Sequence, residues 1–146
     1  MNLWRLINPI VALVLKSKLH FIFSHQLLLF RITGRRSGKI YQIPASYAVF
    51  DDRIHCITLR SNQWWKNFIN LSSQEVYFKG QLITMSIEID ASNDVNVETK
   101  LRQLIEHNPI DAFFAKVKLD KNKKPIKEDL EQAAKLHTSI TLNLQE

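Results

Sequence analysis

Residues 27–59 read LLLFRITGRRSGKIYQIPASYAVFDDRIHCITL, and the architecture follows from how they are parsed. Leu28, Phe30 and Ile32 alternate with a period of two, which predicts a first strand beginning at residue 27. Residues 34–39 hold two glycines, two arginines and a serine, the composition of a turn. A long second strand should follow, with Tyr41, Ile43, Ala45, Tyr47 and Val49 on one face. Asp51 and Asp52 then form a tight turn, and residues 53–59 a third strand.

Outward from this core the pattern continues. Residues 75–79 and 82–90 predict a hairpin about Gly80, with Ile83, Met85, Ile87 and Ile89 alternating inward. A last strand is expected at 139–144, with Ile140, Leu142 and Leu144 inward. Helices are expected at 64–71, at about 94–107 with Val97, Leu101, Leu104 and Ile105 on one stripe, at 110–117 and at 127–136. Six antiparallel strands with helices at the edges predict a mainly β (α+β) chain, a six-stranded antiparallel split or closed β-barrel over residues 26–146.

Residues 1–25 read differently. Ile10, Val11, Val14, Leu15, Leu19 and Ile22 fall at helical spacing, which predicts an amphipathic helix. The apolar run from Ile10 ends at Lys16, short of the ~20 residues that a membrane span needs. Lys16-Ser17-Lys18 stands where a signal peptide would carry small residues. The helix either packs on the core or lies on anionic lipid, with Lys16 and Lys18 near the headgroups. The corresponding location is cytoplasmic, at the inner face of the membrane if the lipid contact is made.

Charge is distributed unevenly. The 146-residue chain has a net charge of +6. Residues 1–50 hold Arg5, Lys16, Lys18, Arg31, Arg35, Arg36 and Lys39 and no carboxylate. Such a block implies an anionic partner. Nucleic acid is disfavoured because the basic third is also the most apolar part. A hydrophobic content of 45% excludes intrinsic disorder, and a single cysteine, Cys56, excludes a disulfide framework. His20 and His25 diverge on a helix, and adjacent strand residues His55 and Cys56 face opposite ways, so neither a metal site nor a Cys/His dyad is expected. No carboxylate precedes Asp51, which leaves hydrolytic chemistry without support.

Thr33-Gly34-Arg35-Arg36-Ser37-Gly38-Lys39 is the strongest chemical signal. Glycines permit positive φ and close approach of a ligand, consecutive N–H groups can cradle an anion, and arginine offers paired donors to phosphate. It is not a nucleotide P-loop, since the spacing to Gly38-Lys39 is one residue short and Ile40 replaces Ser or Thr. The strand that follows also excludes a dinucleotide fingerprint. Arg60-Ser61-Asn62-Gln63 forms a polar corner before Trp64 and Trp65, which either cap the core or wall a flat ligand.

Taken together, TGRRSGK at 33–39, Tyr41, Ile43-Pro44, Tyr47, the Asp51-Asp52 turn, Trp64-Trp65-Lys66-Asn67 and the strand ending at Gly80 resemble the deazaflavin-dependent nitroreductase family. This is a branch of the flavin-reductase-like split β-barrel proteins. The C-terminal Pro109, Lys124-Pro125, Asp129-Leu130 and Ala133-Ala134 resemble its shorter members. The resemblance implies a groove for the 8-hydroxy-5-deazaflavin coenzyme or FMN; other members bind haem or fatty acids. It implies that Arg35, Arg36, Ser37 and Gly38 hold the coenzyme phosphate, and that Pro44 and Ala45 lie by its ring. It further implies that Thr58, Arg60 and Ser61 line the groove and that Asn67 joins them. The implied activity is hydride transfer from the reduced coenzyme to a quinone-like or nitro-aromatic small molecule. The alternative is a non-catalytic binder of flavin, haem or lipid in the same groove. The cofactor carries such chemistry, so no acid–base dyad is required; water or the Tyr47 hydroxyl would supply the proton. Either a monomer or a homodimer is compatible with this reading.

Overall fold

The computed structural model describes residues 27–144. The expected helix over residues 1–25, with its lipid contact, lies outside them. Seven strands form one antiparallel sheet: β1 Leu27–Thr33, β2 Ile40–Ser46, β3 Ala48–Phe50, β4 Arg53–Leu59, β5 Ser73–Phe78, β6 Gln81–Asp90 and β7 His137–Leu144. Their spatial order is β2-β1-β5-β6-β7-β4-β3. A 3₁₀ helix spans Trp64–Phe68 between β4 and β5. Helices α1 Asp94–His107, α2 Ile110–Ala115 and α3 Lys127–Leu136 lie between β6 and β7.

This order forces the sheet to curl. β2 and β3 are its two edges, yet only Tyr47 separates them in the chain. In a flat sheet, six steps of about 4.8 Å would hold those edges on the order of 29 Å apart. Two extended residue steps span about 7 Å. The sheet therefore rolls into a half-barrel, and β2 comes close to β4. Leu28, Phe30, Ile54, Cys56, Val76, Met85, Ile87, Ile140 and Leu142, drawn from five strands, meet in one interior cluster. Trp65 and Phe68 of the 3₁₀ helix close it.

The expected count of six strands is corrected to seven. The single long strand predicted over residues 40–49 breaks at Tyr47 because its two halves pair with different partners: β2 with β1, and β3 with β4. The break also shifts the alternation. Ile43, Ala45 and Tyr47 face the core as expected, but Ala48 is buried next to Tyr47 and Val49 turns outward. A second correction concerns β7. Leu144 is exposed, and both faces of residues 137–142 are buried. One face lines the curled interior, while α1 packs against the strand and α3 against α1. Leu101, Ile105, Ala112, Val117, Leu130 and Ala133 form a second cluster, against which Ile57 of β4 packs.

Local signals explain the connections. Asp51 and Asp52 both have positive φ (54° and 57°), as a two-residue type I′ hairpin requires. Lys79 and Gly80 repeat this between β5 and β6. Asn93 caps α1 by accepting a hydrogen bond from the Asn96 amide at 3.1 Å. β2 tolerates Pro44 because it is an edge strand paired only to β1, where Pro44 sits opposite Leu29.

Candidate functional site

The turn after β1 folds back on itself. The Gly34 amide donates to the Lys39 carbonyl at 2.7 Å, and the Gly38 amide to the Gly34 carbonyl at 2.9 Å. Gly38 has φ +71°, in the left-handed region that favours glycine. Gly34 is required for a different reason. A Cβ there would lie 2.8 Å from Ser37 Oγ and 2.9 Å from the Tyr41 ring. The Tyr41 ring therefore sits directly over the turn, and its hydroxyl is 3.4 Å from Ser37 Oγ.

The 3₁₀ helix meets the turn from the other side. Asn67 Oδ1 accepts the Arg35 amide at 2.9 Å, while its Nδ2 donates to the Trp64 carbonyl at 3.0 Å. One amide side chain thus ties the basic turn to the tryptophan segment. The two tryptophans are placed differently. Trp65 is buried, and its indole N–H donates to the Arg60 carbonyl at 3.1 Å. Trp64 is half-buried and leans on Phe30 and Phe68, with ring centroids 5.6 and 5.8 Å away.

Between turn and 3₁₀ helix lies a cleft of about 470 Å³, lined by Gly34, Arg35, Arg36, Ser37, Tyr41, Ile43, Gln63, Trp64 and Asn67. Among the described residues the lining contains no carboxylate, histidine or thiol. Arg35 and Arg36 form no ion pair among the described residues. The backbone adds to this. The amides of Arg35 and Gly38 already donate within the protein, but those of Arg36 and Ser37 have no protein acceptor among the described residues. Ser37 Oγ accepts the Lys39 amide at 3.2 Å. Whichever hydroxyl donates in the Ser37–Tyr41 pair, one hydroxyl proton remains available. Two guanidinium groups, two amides and a hydroxyl, with no compensating carboxylate among the described residues, make a seat for an anion. Trp64 and Ile43 provide apolar surface in the same cleft.

The residues anticipated from sequence divide into two groups. Arg35, Arg36, Ser37 and Asn67 line this cleft, and Gly38 shapes its turn. Ala45 lies on the same face of β2 as Tyr41 and Ile43, deeper toward the core, while Pro44 projects from the opposite face. Thr58, Arg60 and Ser61 lie elsewhere. The Arg60 guanidinium donates to the carbonyls of His137 (2.9 and 3.1 Å) and Ala134 (3.3 Å) and pairs with Asp94 at 3.4 Å. It caps the C-terminus of α3, where the helix dipole favours a cation. Thr58 Oγ1 accepts from Asn62, and the Ser61 carbonyl from Gln63. These contacts hold the corner that launches the 3₁₀ helix. Tyr47 is 4% exposed, packs edge-on against Phe78 at 5.3 Å and is not in the cleft lining. Burial pushes its hydroxyl pKa up, with the Cys56 side chain adding to the effect.

Four lining residues went unassigned in the sequence reading: Gly34, Tyr41, Ile43 and Gln63. Tyr41 and Ile43 carried a signal, since they alternate on the β2 face next to the turn. Gln63 carried none beyond its place before Trp64. Among the described residues no group of three or more His, Cys, Asp or Glu is placed to hold a metal ion, and no helix is long and apolar enough to cross a membrane.

No family model and no curated protein matches this sequence. Solved structures do match. One is described as a putative 5-nitroimidazole antibiotic resistance protein from Bacteroides thetaiotaomicron, with a TM-score of 0.57 at 10% identity over 87% of this chain and 78% of that one. A pyridoxamine 5′-phosphate oxidase-related, FMN-binding protein from Nostoc punctiforme has a TM-score of 0.52 at 11% identity, covering 99% and 81%. An F420 reductase has a TM-score of 0.50 at 8% identity, covering 83% and 87%. The likenesses establish the fold: a split barrel of the kind on which FMN-binding and F420-reductase proteins are built.

Proposed function

We propose that the cleft binds a flavin-type coenzyme, FMN or a deazaflavin, and that the protein is an oxidoreductase acting on a quinone-like or nitro-aromatic small molecule. One observation carries this reading. Two arginines without carboxylate partners share a cleft of about 470 Å³ with the exposed side of Trp64, in a fold that this chain has in common with an FMN-binding protein and an F420 reductase. The residues present suit such a ligand. Arg35, Arg36 and the Ser37 amide would hold its phosphate, and Trp64 and Ile43 would flank its ring.

The bound coenzyme would supply hydride transfer, which requires positioning more than a protein nucleophile. The residues of this chain supply that positioning. Asn67 keeps the Arg35 amide and the Trp64 segment in fixed relation, so phosphate seat and aromatic wall move together. Gly34 lets the Tyr41 ring and Ser37 Oγ approach the turn backbone closely. Water would supply the proton for the reduced acceptor; the Tyr47 hydroxyl, the other donor considered, is buried and outside the described lining.

Titration of the purified protein with FMN and with the deazaflavin coenzyme, followed by flavin fluorescence or absorbance, tests the binding. Replacing both Arg35 and Arg36 with Ala should weaken it by roughly 1.5–3 kcal/mol per lost charged hydrogen bond. Unchanged affinity in the double variant would remove the phosphate seat. Consumption of reduced coenzyme with menadione then separates a reductase from a binder that does not turn over.

A further inference from the structure

We propose that the segment from Phe113 to Lys127 is a docking surface for an anionic lipid bilayer, with the phenylalanines entering the headgroup region and the lysines resting on its charge. The surface lies apart from the cleft, and the inference does not rest on the coenzyme reading. Ser46 Oγ donates to Asp111 Oδ2 at 2.8 Å, which places α2 at the end of β2 remote from the 34–39 turn.

The turn that ends α2 sorts its side chains into two sides. The Lys116 amide donates to the Phe113 carbonyl at 3.3 Å and the Val117 amide to the Ala112 carbonyl at 2.9 Å. Ala112, Val117 and Leu119 turn into the second core cluster. Phe113, Phe114, Lys116 and Lys118 are left on the solvent side. Phe113 is 78% exposed and Phe114 57%. Their rings meet edge to face at 5.5 Å, so they form one apolar knob. The loop that follows doubles back, the Asp120 amide donating to the Lys124 carbonyl and the Ile126 amide to the Lys118 carbonyl, both at 2.8 Å. The half-exposed Ile126 thereby returns beside Lys118.

The charge around this knob has one sign. Residues 116–127 contain six lysines and one carboxylate, Asp120. That carboxylate is turned back onto the Asn122 and Lys124 amides at 2.8 and 3.0 Å. Lys124 and Lys127 have distant partners, Glu106 at 3.8 Å and Glu131 at 3.9 Å. Lys116, Lys118, Lys121 and Lys123 are exposed and form no ion pair among the described residues. An exposed aromatic pair held in water gains nothing for the fold, and beside a polybasic loop it matches an anionic bilayer: aromatic rings settle at the interface while lysines are drawn to its surface potential. Single-stranded nucleic acid would also attract the lysines. Residues 113–118, however, carry no arginine, amide or carboxylate side chain to contact a base edge, and two rings set edge to face make no ladder for successive stacked bases.

Sedimentation of the full chain with vesicles tests this. The protein should pellet with vesicles of phosphatidylglycerol and phosphatidylcholine, less so as salt is raised, and stay in solution with phosphatidylcholine alone. Replacing Lys116, Lys118, Lys121 and Lys123 together with Gln should lower the partition coefficient at least about tenfold, and Phe113→Ala should lower it several-fold. Cys56 is buried, so an environment-sensitive dye can be attached selectively to Phe113→Cys; its emission should move to shorter wavelength on the anionic vesicles. No sedimentation with anionic vesicles overturns the proposal. So does sedimentation undiminished in both variants, which would put the lipid contact elsewhere in the chain, or unchanged dye emission on protein that has pelleted. Binding to a single-stranded oligonucleotide that is tighter than binding to the vesicles and displaces them would overturn it in favour of nucleic acid.

Discussion

Single residues set the shape of the anion seat, and the two glycines do so by different means. Gly38 is fixed by its dihedral angle and Gly34 by the space around it. Gly38→Ala should therefore cost about 1–2 kcal/mol of stability, the strain of a left-handed alanine, with little change at the Tyr41 side. A denaturant midpoint equal to that of the parent would show that the turn relaxes freely. Gly34→Ala instead pushes against Ser37 Oγ and the Tyr41 ring. Its effect should appear mainly as lost coenzyme affinity, read by the same titration. The TGRRSGK stretch disclosed that a basic, glycine-hinged turn exists. It did not disclose which amides remain unengaged, because the Asn67 side chain that occupies the Arg35 amide lies 32 residues away.

Among the elements, the sheet and α1 are joined by a polar chain that no local pattern announces. The Lys100 ammonium on α1 donates to Thr141 Oγ1 of β7 at 2.7 Å, and Thr141 lies 3.5 Å from His55 Nδ1 on β4. His55 Nε2 is 3.2 Å from the Phe50 carbonyl of β3, and its ring stacks on Phe50 at 3.7 Å. The carbonyl can only accept, so Nε2 carries the proton and Nδ1 accepts from Thr141. Burial pushes the His55 pKa down, opposed by the hydrogen bond to Phe50 and reinforced by Lys100 and Arg53; Asp51 acts the other way. Burial likewise lowers His137, whose Nδ1 donates to the Ala133 carbonyl at 2.6 Å. Both folded-state values lie below the unfolded value of about 6.5. The unfolded chain then binds more protons just below that pH, so this stability is complete above about pH 6.5 and is lost as pH falls toward the folded values. Urea midpoints should drop between about pH 7 and pH 5.5, less steeply in His55→Gln. A midpoint that holds or rises on acidification would contradict the neutral buried histidines. Strand and helix positions were legible because alternation and apolar stripes are local. The helices fall within a few residues of the expected ranges and the Asp51-Asp52 turn on its own residues, whereas Lys79, read as the end of a strand, is the first residue of the turn with Gly80. Arg60 is expected beside a ligand because its corner is polar in sequence; its guanidinium reaches the end of α3, more than seventy residues on, a contact that no local pattern announces.

For the whole molecule, closure depends on Tyr47. Its neighbours on either side belong to opposite edges of the sheet, and its buried ring meets Phe78 across the interior. The Asn108 side chain after α1 donates to the Tyr47 carbonyl at 3.0 Å, which anchors the break to the helical layer. Tyr47→Ala should cost about 3–5 kcal/mol, as the loss of a large buried aromatic does. Hydrogen exchange should then rise together in β2 and β3, because one hinge holds both. Exchange confined to a single edge would mean that the two close independently. Residues 40–49 read as one strand because Tyr41, Ile43, Ala45, Tyr47 and Val49 alternate without interruption; a change of partner is a property of the closed sheet and leaves no local trace. A crystal structure with riboflavin 5′-phosphate bound tests the central claim most directly. The account predicts phosphate oxygens within hydrogen-bond distance of the Arg36 and Ser37 amides, with the isoalloxazine ring against Trp64. A ligand bound elsewhere, with both guanidinium groups turned into bulk solvent, would contradict it.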